Sequence, residues 1–300
     1  MSTTATGPNG KDKSRSGCEI MVGTSGYSYG EWVDSGFYPP GTHSAAMLPR
    51  YAEVFRATEL NYTWYQMPKA PAMERMCTRV DPDFRFAAKL TRSLTHEIDQ
   101  TQWKTQAERY CRGIFPLAAS GRLLSVLIQL PPFFKRTLEA RQYLGALLDE
   151  LQEAARKTGI SHLPLSVEFR HDSWVNDRVF VELERRRVTL VAVDEPDLPR
   201  LFPRLPMVTN PGLFYVRFHG RNRGGWGSGN MQHQFDYSYS HAELEEWAEF
   251  ISTNLVPGAA QGAVFFNNHV RGQAPANAQK LISLLGISPN PVKQKQGQQT

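Results

Sequence analysis

The stretch LLSVLIQL at residues 123–130 decides the fold. Leu123, Leu124, Val126, Leu127 and Ile128 are apolar on near-consecutive positions, so an extended chain here has no face left for solvent. That is the pattern of a strand buried on both sides, as in a parallel sheet covered by helices. Working outward, the same kind of run recurs upstream as EIMVG (19–23), TELNY (58–62) and FRFAAKL (84–90). It recurs downstream as LPLSVEF (163–169), VTLVAV (188–193), LFYVRF (213–218) and GAVFFNN (262–268). Helix-period segments lie between most of these eight strand candidates. Residues 48–56 space Leu48, Tyr51, Ala52 and Phe55 along one face, and residues 138–157 do the same with Leu144, Leu147, Leu148 and Leu151. Residues 172–187 open with an Asp and Ser pair suited to capping, residues 240–255 open with a capping box of Ser240 and Glu243, and residues 274–285 form the last segment. Strand and helix in alternation imply a parallel sheet. Eight such units in a chain of 300 residues match an α/β fold of the closed (β/α)8 TIM type. An open doubly wound sheet fits less well, because no Gly-rich dinucleotide-binding turn follows the first strand.

Composition sets outer bounds. The net charge of +5 is too small to argue for nucleic acid by itself. Cys18, Cys77 and Cys111 are scattered, odd in number and form no CxxC, which predicts free thiols in a reducing compartment and a cytoplasmic location. No apolar run reaches the roughly 18 residues of a membrane helix. Residues 1–17 and 288–300 read as a disordered leader and tail around one barrel domain at 18–287. The leader has no apolar core of the secretory kind.

In barrels of this type the ligand site forms where strands end and the following loops begin. Each run ends on polar residues: Gly23-Thr24-Ser25-Gly26, then Asn61, then Lys89 followed by Arg92 and His96, then Gln129. The later runs end in Glu168 with Arg170 and His171, in Asp194, in Arg217 with His219 and Arg221, and in Asn267-Asn268-His269. A charge inside an apolar run is costly to bury unless it is paired or bound, so Lys89, Glu168 and Arg217 point to a pocket. Lys89, Arg170, Arg217 and Arg221 together suggest an anionic ligand, since guanidinium grips carboxylate or phosphate two-pronged. Alternatively, Arg170 and Arg217 neutralise Glu168 and Asp194 inside the barrel. Glu168, Asp194 and His219 end three successive strands and offer either acid–base groups, a divalent-metal site or a plain hydrogen-bond network. No HxH or HExxH spacing supports the metal, and none is assigned. His96 reads as a proton shuttle or a loop cap, and His171 as structural. The aromatics Tyr27, Tyr29, Trp32, Phe37 and Tyr38 suggest a loop that packs on itself and leaves one or two rings for ligand contact. The glycines of NRGGWGSGN (222–230) mark a flexible segment that is either a lid or disordered.

The chain resembles the YecE-like family, domain of unknown function 72. The resemblance is carried by GTSGYSYGEW (23–32), ELNYTWYQMP (59–68), FRFAAKLTRSLTH (84–96), IQLPPFF (128–134), VEFRHDSW (167–174), VDEP (193–196), YVRFHGRN (215–222) and FFNNHVRGQAPANAQKL (265–281). It spans about residues 22–285 and implies a closed (β/α)8 barrel, but no reaction. Position by position it points to Thr24, Asn61, Lys89, His96, Gln129, Glu168, Arg170, His171, Asp194, Arg217, His219, Arg221, Asn267 and Asn268.

These readings converge on a barrel protein acting on a small anionic or sugar-like substrate at the mouth, while leaving open whether it is an enzyme. In that reading Glu168, His219, His96 and Asp194 supply acid–base groups and Lys89 and Arg217 stabilise negative charge. Thr24, Asn61, Gln129, Arg170, Arg221, Asn267 and Asn268 hold the ligand. The rivals are a nucleic-acid-binding or processing protein and a non-catalytic ligand sensor. The cofactor and the oligomeric state are left unassigned, and no membrane partner is expected.

Overall fold

Eight strands close on one another in chain order, each parallel to its neighbours. The computed structural model describes residues 17–288. The leader expected at 1–17 and the tail at 288–300 lie outside the described residues, apart from Gly17 and Ser288. The strands are β1 (Glu19–Ser25), β2 (Ala57–Leu60), β3 (Arg85–Lys89), β4 (Leu123–Gln129), β5 (Leu165–Glu168), β6 (Thr189–Asp194), β7 (Leu213–Phe218) and β8 (Gln261–Phe266). The barrel shuts where β1 runs beside β8, with Glu19 opposite Gln261 and Thr24 opposite Phe266.

The helices that cover it are α1 (Glu31–Asp34), α2 (Ser44–Ala52), α3 (Tyr62–Tyr65), α4 (Ala70–Cys77), α5 (Trp103–Ala119) and α6 (Leu138–Lys157). After them come α7 (Asp177–Arg186), α8 (Met231–Gln234), α9 (His241–Phe250) and α10 (Gln273–Leu284). The local signals explain several of their ends. On α6, Thr137 Oγ1 accepts from the Ala140 amide at 3.2 Å, and Leu144, Leu147, Leu148 and Leu151 face inward. Truncating fully buried Leu147 to Ala would cost about 2–5 kcal/mol through lost transfer and a residual cavity. On α9 the capping box forms as read: Glu243 accepts from the Ser240 amide at 2.8 Å and Ser240 Oγ accepts from the Glu243 amide at 3.3 Å. The helix expected from 172 starts later. Trp174 stacks between Phe134 and Phe169, so the chain makes one 3-10 turn at Asp172–Trp174 and α7 begins after Asn176. The run 58–62 also divides: β2 stops at Leu60, and Asn61 stands at the N-terminus of α3.

Alternation along each strand divides the interior into two shells. Met21, Ala57, Leu127, Val193, Tyr215 and Phe265 pack inside the barrel. Their neighbours, such as Val22, Ile128, Val167, Val216 and Phe266, pack outward against the helices. This parity decides which polar side chains can share a site.

Candidate functional site

Continuing the inward series toward the C-terminal ends brings Glu59 and Asn61, Lys89, Gln129, Glu168 and Arg170, Glu195, Arg217 and His219, and Asn267 into one mouth. The outward series takes other polar groups away from it. Thr24 Oγ1 donates to the Gly26 carbonyl at 2.6 Å and lies 2.9 Å from Tyr51 Oη. Asn268 Nδ2 donates to the Tyr237 carbonyl at 2.8 Å and to Asn277 Oδ1 at 2.9 Å. Asp194 points out to α9, where it accepts from Trp247 Nε1 and, at 2.7 Å, from Arg221 Nη2. Arg221 gets there because Gly220 has φ +89 and a Cβ at Gly220 would lie 2.6 Å from Tyr237 Cβ. That turn swings the chain off β7, and only glycine makes it without strain.

The floor of the mouth is an ion-pair network. Arg217 is buried and grips Glu59 with two nitrogens, at 2.9 Å from Nε and 2.7 Å from Nη2, while its Nη1 donates to Glu168 Oε2 at 2.6 Å. Tyr215 Oη adds a bond to Glu59 at 2.6 Å. Arg170 donates from Nε to the other oxygen of Glu168 and from Nη1 to Glu195 Oε2 at 3.0 Å. His219 Nε2 lies 3.0 Å from Arg170 Nη2 and 3.2 Å from Glu168 Oε1, and its Nδ1 lies 3.1 Å from Asn267 Nδ2. Buried charges persist when both partners are present and hydrogen-bonded, and here they are. The mouth therefore gains two carboxylates, Glu59 and Glu195, beyond the Glu168 and Asp194 read from the strand ends.

Above this floor stands a cavity of about 690 Å3. Lys89, Asn61, Gln129, Asn267, Arg170 and Arg217 reach it from below, and Tyr29, Trp64, Tyr65, Trp226, Phe235 and His269 wall it, with His96 at the side. Among the described residues no carboxylate lies within ion-pair reach of Lys89. Its Nζ lies 5.0 Å from the centre of the Trp64 ring. Asn61 Nδ2 donates to Asn267 Oδ1 at 3.3 Å, and Asn61 Oδ1 is buried without a hydrogen-bond partner among the described residues. The segment 222–236 carries α8 and brings Trp226, Met231, Gln234 and Phe235 over the opening. Most of the first-loop aromatics pack as their own core, with Trp32 and Tyr38 buried, and leave Tyr29 for the cavity.

Burial, together with the nearby Arg217, lowers the Lys89 amine to about 7. Burial and then Lys89 lower His96 to about 4, and burial and Arg170 lower His219 to about 3, so both imidazoles are neutral near pH 7. Burial would raise Glu168, but Arg170 and Arg217 outweigh it and hold its carboxyl well below the usual range. Burial raises Glu195 to about 7 despite Arg170. The floor thus combines a carboxylate fixed as an anion with an amine poised near neutrality.

The family model described as "Protein of unknown function DUF72" matches residues 21–300. The chain belongs to the DUF72 family. A DUF72 family protein from Thermotoga maritima MSB8 has a solved structure 34% identical to this chain, with TM-score 0.77, covering 89% of this chain and 99% of that one. A DUF72 family protein from Enterococcus faecalis V583 is 25% identical with TM-score 0.79, covering 90% and 97%. The UPF0759 protein YunF of Bacillus subtilis (strain 168) is 26% identical over 283 residues, 89% of this chain and 95% of that protein.

In this DUF72 barrel the sequence-predicted residues thus separate into three places. Lys89, His96, Asn61, Gln129, Arg170, Arg217 and Asn267 border the cavity. Glu168 and His219 lie beneath it, fully buried. Thr24, Asn268, Asp194 and Arg221 sit on the outer side of the strands, and His171 caps a turn by accepting from the Ser173 amide at 3.1 Å. Glu168, His219 and Asp194 consequently do not converge as a metal site, and no group of three or more metal-ligating side chains occurs among the described residues. Glu59 and Glu195 were missed, although strand parity from Ala57 and Val193 would have found both. No described helix is long and apolar enough to cross a membrane.

Proposed function

We propose that this DUF72 barrel is a cytoplasmic enzyme acting on a small sugar-like or singly anionic substrate held in the mouth cavity. One observation carries the reading: indole and phenol walls stand over a floor where Lys89, Asn61, Gln129 and Asn267 open into one cavity, with no described carboxylate in ion-pair reach of Lys89. Aromatic faces cover the apolar side of a polyol, while amides offer both donors and acceptors to its hydroxyls. Asn61 Oδ1 supplies an acceptor that the described residues leave unmatched. Arg217 and Arg170 are already engaged by Glu59, Glu168 and Glu195, which argues against a polyphosphate and for at most one strong anionic group. In this reading Lys89 and His96 carry proton transfer at the ligand. Glu168, Arg217 and His219 hold the donors in place.

The test is a thermal-shift screen with aldoses, sugar acids and keto acids, followed by product analysis. A ligand of this class should raise the melting temperature by mass action, with weak salt dependence. The effect should disappear in Asn267→Ala and Trp64→Ala and survive in Lys157→Ala. Binding of single-stranded nucleic acid that falls steeply with salt would replace this reading. Tight binding of a sugar without turnover would identify a sensor.

A further inference from the structure

We propose that Lys89 is a covalent nucleophile that condenses with an aldehyde or ketone, so that the substrate of the mouth cavity is a carbonyl compound such as an open-chain sugar or a keto acid. The proposal rests on the reading of the cavity as a small-molecule site, and it narrows the substrate class and the chemistry.

Three features of the geometry carry it. Lys89 is the last residue of β3 and is aimed into the cavity by strand parity. Its own carbonyl is pinned by Thr63 Oγ1 at 2.6 Å and Tyr110 Oη at 3.1 Å, which fixes the stem on a rigid element. Its amine makes no ion pair with a described carboxylate, unlike Arg170, Arg217 and Arg221, so its lone pair is not tied up as a salt-bridged ammonium. A lysine that is desolvated and set beside other cations is an activated amine, and its amine near 7 agrees with this. The Trp64 face, 5.0 Å from Nζ, would stabilise the cation that forms when Nζ becomes an iminium.

The step balances with one proton taken up from solvent water. The free Nζ lone pair attacks the carbonyl carbon, a C–N bond forms, and the carbonyl π pair moves to oxygen. A proton passes from nitrogen to that oxygen, giving a carbinolamine. The C–O bond then breaks with a proton delivered to the departing hydroxyl, water leaves, and a protonated imine remains. His96 stands ready to relay these protons. Its ring borders the cavity next to Trp64, and its Nδ1 lies 2.9 Å from Thr95 Oγ1, which fixes the ring.

Full-length protein is incubated with glycolaldehyde, glyoxylate or pyruvate and sodium cyanoborohydride, and adducts are mapped by intact mass and peptide mass spectrometry. The expected result is a single adduct on Lys89, formed at least about tenfold faster than on the surface residues Lys135 and Lys280. The rate at Lys89 should rise with pH around 7 and level off there. Lys89→Arg should lose the fast adduct. Because the rates are compared within the wild-type chain, a misfolded variant does not spoil the test. Adducts spread over surface lysines with Lys89 no faster would overturn the proposal. If Lys89 stays unlabelled while a sugar or keto acid still stabilises the wild type in an Asn267-dependent way, the covalent step is wrong and the small-molecule site stands. If neither labelling nor stabilisation is seen, both readings fall.

Discussion

Arg217 Nη2 lies 2.7 Å from Glu59 Oε1, so a side chain of β7 closes an ion pair with a side chain of β2 inside the barrel, between strands that are not neighbours. Removing one partner of such a pair leaves the other charge buried and uncompensated, which typically costs 3–5 kcal/mol. Arg217→Met should therefore lower unfolding free energy by about that amount, because it strands Glu59 without a counter-charge, while Glu168 keeps Arg170. Glu59→Gln should cost less, since Glu168 still neutralises the guanidinium. Urea unfolding followed by circular dichroism measures both. A loss under about 1 kcal/mol for Arg217→Met would mean that the network is not what fixes the floor.

The neutral histidines make a prediction about acid. The folded-state value of His219 is lowered to about 3 and that of His96 to about 4, against about 6.5 in an unfolded chain. Between these values the unfolded state binds protons that the native state does not, so stability falls as pH drops from about 6.5 toward 3. Each such group adds a slope of up to about 1.4 kcal/mol per pH unit. Glu168, held low, extends the loss below pH 4. Glu195, raised to about 7, works the other way and makes stability fall as pH rises from about 4.5 to 7. His219→Gln should flatten the acid limb in a series of melting temperatures from pH 7 to 4. An unchanged limb would place the acid sensitivity elsewhere.

The eight strands were legible because burial on both faces writes itself as consecutive apolar residues, and LFYVRF at 213–218 matches β7 residue for residue. The contents of the mouth were only half legible. A polar residue at a strand end announces itself, but its direction depends on register within the pleat. Thr24, Asp194 and Asn268 lie one step out of phase with the inward residues of their strands and so leave the mouth. Glu59 is in phase, yet it sits inside TELNY between Thr58 and Leu60, short of the strand end where the polar candidates were sought. The partner that explains it, Arg217, is 158 residues away. Loop conformations such as the turn at Gly220 were beyond reach, since a glycine signals freedom without saying which way the chain goes.

Arg221 offers a test of that division. It is held by Asp194 at 2.7 Å and by Glu243 at 3.4 Å on the α9 side, with no lining role in the central cavity. Arg221→Ala should cost about 1–3 kcal/mol by leaving Asp194 short of its partner. The same change should leave the response to any mouth ligand within twofold of wild type. A large loss of ligand response at unchanged stability would bring Arg221 back into the site.

Anion binding at the mouth should depend on pH through Lys89. Among the four cations read from the strand ends, Lys89 alone has no described carboxylate in reach, so a small anion has one place to gain a partner. With its amine at about 7, roughly nine-tenths of Lys89 is charged at pH 6 and one-tenth at pH 8. Glu195, also near 7, becomes more negative over the same interval and pushes in the same direction. Sulfate keeps a fixed charge across this range and is the suitable probe, with chloride at matched ionic strength as reference. Sulfate should raise the melting temperature more at pH 6 than at pH 8. The difference should vanish in Lys89→Met and shrink only in part in Glu195→Gln. Lys157→Ala should respond like wild type, which separates site binding from the general stabilisation that sulfate gives by exclusion from protein surfaces. Equal sulfate effects at both pH values, or an undiminished difference in Lys89→Met, would show that the mouth charges form an internally closed network with no room for an added anion.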